Sequence, residues 1–316
     1  MVLQDKLGQQ SDEKSMPKFT ILLSLYRPNL DFLSIQLESI KNQISVDIRL
    51  VVRLDGFDKD LFDWLNEFLK VREFNFEVLV GNRIGACASY FELIRHIENY
   101  DYVAFSDQDD YWKDSKLISS VHSSENLGPL LTVVGMQDFK FDWEIPYIIN
   151  TKKELSRGIS TNYFGNALVE NVFQGARMTL NKSAVTLIKN SIPVTENLIM
   201  HDAWIYLVIA GIGRVQEIEE ISFFYRQHEA NLIGLRSGSF VNRLKRVFSK
   251  TSNQRFLMAR EYSKLFPDSD LAKTAKAFSE ILNRPRYCRV FTLSSMNLRR
   301  ARKLDLLLFY LLVSIK

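Results

Sequence analysis

Cysteine is scarce in this 316-residue sequence: Cys87 and Cys288 are the only two, and they fall in no metal-ligand spacing. That excludes a disulfide framework and a cysteine zinc site, and makes a reducing cytosol the expected compartment. Long hydrophobic runs are also lacking. The longest, residues 304–315, is interrupted by Asp305 and falls short of the roughly 20 residues needed to cross a bilayer. Residues 1–18 have no apolar core of the kind a secretory signal needs, so the expectation for 1–17 is a loose polar tail. Histidine is rare as well, with four in the chain.

The remaining composition, 46% hydrophobic and 25% charged, is that of a globular chain able to bury a large core. Its net charge of +4 hides an asymmetry: residues 236–316 carry 18 Lys+Arg against 5 Asp+Glu, and residues 1–235 carry 23 against 32. An acidic body suits a cation-binding catalytic domain. A basic C-terminal segment suits contact with something anionic.

From residue 19, short apolar runs alternate with longer amphipathic ones, the pattern of an α/β fold with a mostly parallel sheet. Strands are expected at 19–24, 48–52, 76–80, 102–105 and 130–136, with two further strands at 214–218 and 222–227. Leu30, Leu33, Leu37, Ile40 and Ile44 mark the buried face of a first helix, and Leu61, Trp64, Leu65, Phe68 and Leu69 that of a second. Helices are also expected at 86–97 and from about Asp202, and in the basic segment at 241–248 and 256–265. Residues 142–164 show no period and read as a loop.

In open α/β sheets ligands bind beyond the carboxyl ends of the strands. Tyr26, Asp55, Arg83 and the run Asp107-Gln108-Asp109-Asp110 all lie at such ends. Three carboxylates within four residues repel one another unless a cation neutralises them, and oxygen ligands suit Mg²⁺ or Mn²⁺; the competing reading is a solvated acidic turn. Asp55 has the chemistry to accept from a pyrimidine imide N–H, although Asp-Gly is also a common turn. Asp202 reads as a general base or as a helix N-cap. His228 could complete a metal's coordination, and Arg226 could neutralise a diphosphate.

Taken in order, Thr20-Ile21-Leu22-Leu23-Ser24-Leu25-Tyr26, Asp55-Gly56, Asn82-Arg83-Ile84-Gly85, Phe105-Ser106-Asp107-Gln108-Asp109-Asp110-Tyr111-Trp112, Gly175, His201-Asp202-Ala203-Trp204 and Tyr225-Arg226-Gln227-His228 resemble the family 2 inverting glycosyltransferases. The likeness is to their rhamnosyltransferase-like branch, which serves bacterial polysaccharide synthesis such as capsule or O-antigen. It implies a GT-A fold over 18–235, with a nucleotide-binding half at 18–112 and an acceptor half at 113–235, followed by the basic helical segment 236–316. It also implies that Tyr26 and Asp55 line the base and ribose pocket, and that Asp107 and Asp109 are the DxD pair, Asp109 on the metal. Asp202 would be the catalytic base and His228 a metal or diphosphate contact. Two positions depart from the family's pattern: Leu54 replaces a frequent aspartate, and Ser89 stands where asparagine is common.

The implied partners are a nucleotide-sugar donor, either dTDP-rhamnose or a UDP-sugar, and a saccharide or lipid-linked acceptor. The basic cluster Arg299-Arg300-Ala301-Arg302-Lys303 beside the apolar residues 304–313 suits a peripheral membrane contact on the cytoplasmic side, or packing against the catalytic domain or a second subunit. Nucleic-acid binding ranks last, since few aromatics are interleaved with the basic residues. A nucleotidyltransferase would share the sheet, but the glycine-rich loop expected after its first strand is replaced by Ser24-Leu25-Tyr26-Arg27-Pro28. The non-enzymatic alternative, a GT-A scaffold that has lost activity, is favoured only by Leu54.

Overall fold

The computed structural model describes residues 15–121, 128–142, 145–148, 163–226 and 250–316. The first half is a regular alternation: β1 (Lys18–Leu25), α1 (Leu30–Lys41), β2 (Asp47–Asp55), α2 (Lys59–Val71), β3 (Phe76–Gly81), α3 (Ala86–His96) and β4 (Tyr102–Ser106). Local signals start the first two helices. Asn29 Oδ1 accepts from the N–H groups of Asp31 and Phe32 at 2.9 and 3.1 Å, and Asp58 Oδ1 accepts from that of Leu61 at 3.1 Å, each satisfying donors that a helix start leaves unpaired.

The second half contributes β5 (Tyr111–Trp112), β6 (Leu130–Asp142), β7 (Ile145–Ile148), α4 (Tyr163–Ala167), β8 (Met178–Asn181), α5 (Lys182–Lys189), α6 (His201–Ile212) and β9 (Arg214–Arg226). One sheet joins the two halves in the order β3-β2-β1-β4-β8-β6-β9-β5, with β7 on β6. Pairing is parallel from β3 to β4, whereas β8 is antiparallel to both its neighbours. The chain lays β2 and β3 on one side of β1 and then places β4 on the other. This reversal opens a crevice between the ends of β1 and β4.

Parallel strands are covered on both faces and therefore read as continuous apolar runs. Along β1, Ile21 and Leu23 enter a core shared with Leu33, Leu37 and Leu65 of α1 and α2, while Leu22 enters the opposite core with Phe91, Trp204 and Tyr206. That second core continues into the C-terminal helices α7 (Lys250–Leu265), α8 (Ala272–Ser279), α9 (Arg286–Ser295) and α10 (Lys303–Ile315), through Tyr262, Phe278, Leu293 and Phe309.

Several expectations change. Leu30 and Ile44 are exposed, because α1 ends at Lys41 and the turn after Asn42 takes Ile44 off its buried face. The two strands expected at 214–218 and 222–227 are one strand, β9, with a bulge at its middle: Val134 pairs with Ile218, but its neighbour Gly135 pairs with Ile221. A polar Glu219-Glu220 pair looks like a break in sequence and is accommodated as extra residues within a ladder. Likewise β6 runs on to Asp142, and β7 forms inside the stretch read as loop. The rest of that stretch to residue 162, the tail to residue 14, His228 and the expected helix at 241–248 lie outside the described residues. No helix among the described residues is long and apolar enough to cross a membrane.

Candidate active site

At the end of β2, residues 53 and 55 point to one face because strand side chains alternate. Arg53 Nη1 donates to Asp55 Oδ1 at 2.8 Å and to Ser89 Oγ at 2.5 Å, and Nη2 donates to the Asn82 carbonyl at 2.8 Å. The guanidinium fits only because position 81 is glycine: a Cβ there would lie 2.4 Å from Nη2. Asp55 in turn accepts from the backbone N–H groups of Ile84 and Gly85 at 2.7 and 2.9 Å. Burial pushes its carboxyl up, but these N–H groups with Arg53 and Ser89 outweigh that and hold it below the usual carboxylate range. The clamp fixes residues 82–85 and carries the exposed Arg83, whose guanidinium lies 4.4 Å from the centre of the Tyr26 ring. Sequence reasoning missed Arg53, although its i, i+2 relation to Asp55 was available.

The acidic loop begins where β4 ends, beside the end of β1. Gln108 Oε1 accepts from the Tyr26 N–H at 3.2 Å and so ties the two strand ends together. The Tyr90 hydroxyl donates to the Ser106 carbonyl at 2.6 Å and lies 3.3 Å from Asp107 Oδ1. Burial, followed by the charges of Asp109 and Asp202, pushes the Asp107 carboxyl up to about 7. Asp110 is fully buried, and its Oδ1 accepts from the Arg226 backbone N–H at 3.1 Å. Burial and then Asp107 and Asp109 raise its carboxyl well above the ordinary range.

Arg226, expected as a diphosphate ligand, is tied to the acidic loop itself. It is 2% exposed, donates from Nε to the Asp109 carbonyl at 2.5 Å, and stacks 4.3 Å from the Phe32 ring centre. Its place at the inward-facing end of β9 makes it a brace beneath the loop. Lys116, also fully buried, lies 3.6 Å from the Trp112 ring centre; burial lowers its ammonium to about 7 against the pull of Asp110.

Across the crevice, α6 starts at His201 with Met200 at the capping position, so Asp202 sits in the first turn and is not the N-cap. Its Oδ1 accepts from the Ala203 N–H at 2.6 Å and its Oδ2 from the Gly175 N–H at 3.2 Å. Burial raises this carboxyl to about 6, with those N–H groups and Asn171 pulling the other way. His201 stacks on Tyr90 at 4.0 Å and on Phe105 at 5.4 Å, and burial lowers its imidazole to about 3, keeping it neutral. Gly175 makes this fit possible: a Cβ would lie 2.6 Å from His201 Nε2. The stack of His201 on Tyr90, with Tyr90 against Asp107, sets the Asp202 carboxyl opposite the acidic loop.

No protein-family model matches the chain. The dTDP-rhamnosyl transferase RfbG of Shigella flexneri is 25% identical over 221 residues, covering 67% of this chain and 73% of that protein. The crystal structure of S. aureus TarS 1–349 matches with a TM-score of 0.53 and 13% identity, covering 88% of this chain and 89% of that one. The mannosyltransferase PcManGT from Pyrobaculum calidifontis, solved with GDP-Man and Mn²⁺, matches with a TM-score of 0.55 and 12% identity over 96% and 87% of the two chains. The chain has the GT-A-like fold of these glycosyltransferases.

Contacts link the expected site residues across these strand ends: Arg83 stacks on Tyr26, Gln108 accepts from the Tyr26 N–H, and Asp107 lies within reach of the charges of Asp109 and Asp202. Among the described residues no three His, Cys, Asp or Glu side chains are grouped as a metal site. The donor set nevertheless suits a hard divalent cation. Its groups are carboxylate oxygens, the Asp107 carboxyl is raised by burial and then by its neighbours' negative charge, and the buried Oδ2 of Asp110 has no hydrogen-bond partner.

Proposed function

We propose that this glycosyltransferase is inverting and metal-dependent, transferring a sugar from a nucleoside diphosphate to an acceptor hydroxyl. The donor is dTDP-rhamnose or a UDP-sugar. The acceptor is a growing cell-surface polysaccharide or a lipid-linked saccharide. The single observation that carries this reading is the buried Asp202 carboxyl, raised by burial to about 6 and close enough to the acidic loop that its charge acts on Asp107.

A base poised near neutrality takes the acceptor hydroxyl's proton as oxygen attacks the anomeric carbon. Attack comes from the face opposite the leaving diphosphate, so configuration inverts and no covalent enzyme intermediate forms. Tyr26 and Arg83 present a flat cationic surface for the base. Asp55 keeps only the second lone pair of Oδ2 for an imide N–H, so its larger part is to hold residues 82–85 in place. Asp109, with His228 as the further candidate ligand, would hold Mn²⁺ or Mg²⁺; such an ion neutralises charge developing on the diphosphate. Arg226 and Asp110 hold the loop from below.

The test is a thermal-shift screen of nucleotide sugars with and without Mn²⁺, followed by stereochemical analysis of the product. A Mn²⁺-dependent shift with dTDP-rhamnose or one UDP-sugar, and product of inverted configuration, are expected. Retention of configuration, or full turnover by Asp202→Asn, would overturn the assignment.

A further inference from the structure

The C-terminal helices expose far more apolar surface than their packing requires. On α9, Tyr287 is 85% and Phe291 79% exposed, with Val290 at 43%. These positions lie on the side of the helix opposite the buried Arg289 and Leu293. On α10, Leu304, Leu307, Leu311 and Ile315 are each at least half exposed and recur at spacings of three and four, opposite the buried Phe309, Leu312 and Val313. The helices run antiparallel, since Tyr310 Oη donates to the Leu293 carbonyl and Arg289 Nη1 to the Val313 carbonyl. Two apolar stripes therefore face away from the core on one helical hairpin.

Charge decides what such a face fits. Exposed Arg286 begins α9 and exposed Arg284 lies just before it, beside the end of α10 where Lys316 lies; exposed Arg299, Arg302 and Lys303 occupy the other end of the hairpin. Residues 284–316 contain a single acidic side chain, Asp305. A second copy of the same face would bring these cations together and be repelled. An anionic lipid surface meets both features at once: the apolar stripe enters the acyl boundary, and long basic side chains at either end reach the headgroups.

We propose that α9 and α10 together form a docking face for an anionic membrane. This goes beyond the catalytic reading and needs neither sugar nor metal, so the two fail separately.

The full chain is sedimented with phosphatidylcholine vesicles with and without phosphatidylglycerol, at low and high salt. Binding to the anionic vesicles alone, reduced by salt, is expected. The double variants Leu307→Glu/Leu311→Glu and Tyr287→Ala/Phe291→Ala should each weaken it about tenfold or more, with thermal unfolding and turnover of a soluble acceptor unchanged. Absent binding to anionic vesicles, equal binding by the variants, or a dimer in solution that these variants dissociate would each overturn the proposal.

Discussion

Asp55 and Asp107 lie at the ends of two strands in the parallel part of one sheet, yet they are electrostatic opposites. Asp55 receives two backbone N–H groups and the Arg53 guanidinium, and its carboxyl lies below the usual range. Asp107 has the Tyr90 hydroxyl at 3.3 Å and two carboxylates for company, and its carboxyl lies near 7. Burial acts against the charged form in both. What differs is the supply of donors: the β2 end draws several from its own surroundings, while the β4 end gathers carboxylates with few.

The largest effect that tests this division is expected at the far wall. Asp202→Asn should lower kcat about 10³-fold while leaving nucleotide binding by calorimetry unchanged. In the unsubstituted enzyme the base works only when ionised, so kcat should fall as pH drops through about 6. An unchanged kcat at pH 5 would remove Asp202 from that part.

Next in size, Asp55→Ala should cost about 3 kcal/mol of unfolding free energy, because it strands Arg53 as an unpaired buried charge. Denaturant unfolding measures this, and a neutral result would break the contrast. Gly175→Ala should cost about 2 kcal/mol, since its Cβ lies 2.6 Å from the His201 ring; it should also lower kcat by displacing Asp202. The smallest effect has the opposite sign. Asp107→Asn should stabilise the metal-free protein in chelator on the order of 1 kcal/mol at pH 8 while abolishing donor binding. The sign follows from linkage: a carboxyl raised in the folded state costs stability as pH climbs from its unfolded value near 4 toward 7. The gain should vanish below about pH 4, and destabilisation by Asp107→Asn at pH 8 would refute the contrast.

Much of the first half was legible because its signals are local. β1 to β4 and the three helices between them follow from apolar runs of strand length and from i, i+3, i+4 spacing. The second half was less so. The polar Glu219-Glu220 hid the continuity of β9, since a bulge depends on the partner strand and leaves no local period. Arg226 shows a similar limit. Its type suits a diphosphate, but chain order does not reveal that its backbone N–H and Nε hold the acidic loop.

The sequence by itself determined the α/β alternation, the carboxylates at the strand ends and the basic C-terminal segment, because these are properties of adjacent residues. Only the tertiary structure decided which carboxylate is satisfied and which is strained. Asp55 draws its partners from residues 53, 84 and 85, and Asp202 reaches Gly175 across 27 positions. A carboxyl's charge state depends on the donors around it in space, and chain order does not supply them. The acidic run after β4 was visible from the start; that its first member sits near 7, opposite a carboxyl near 6, is a consequence of folding.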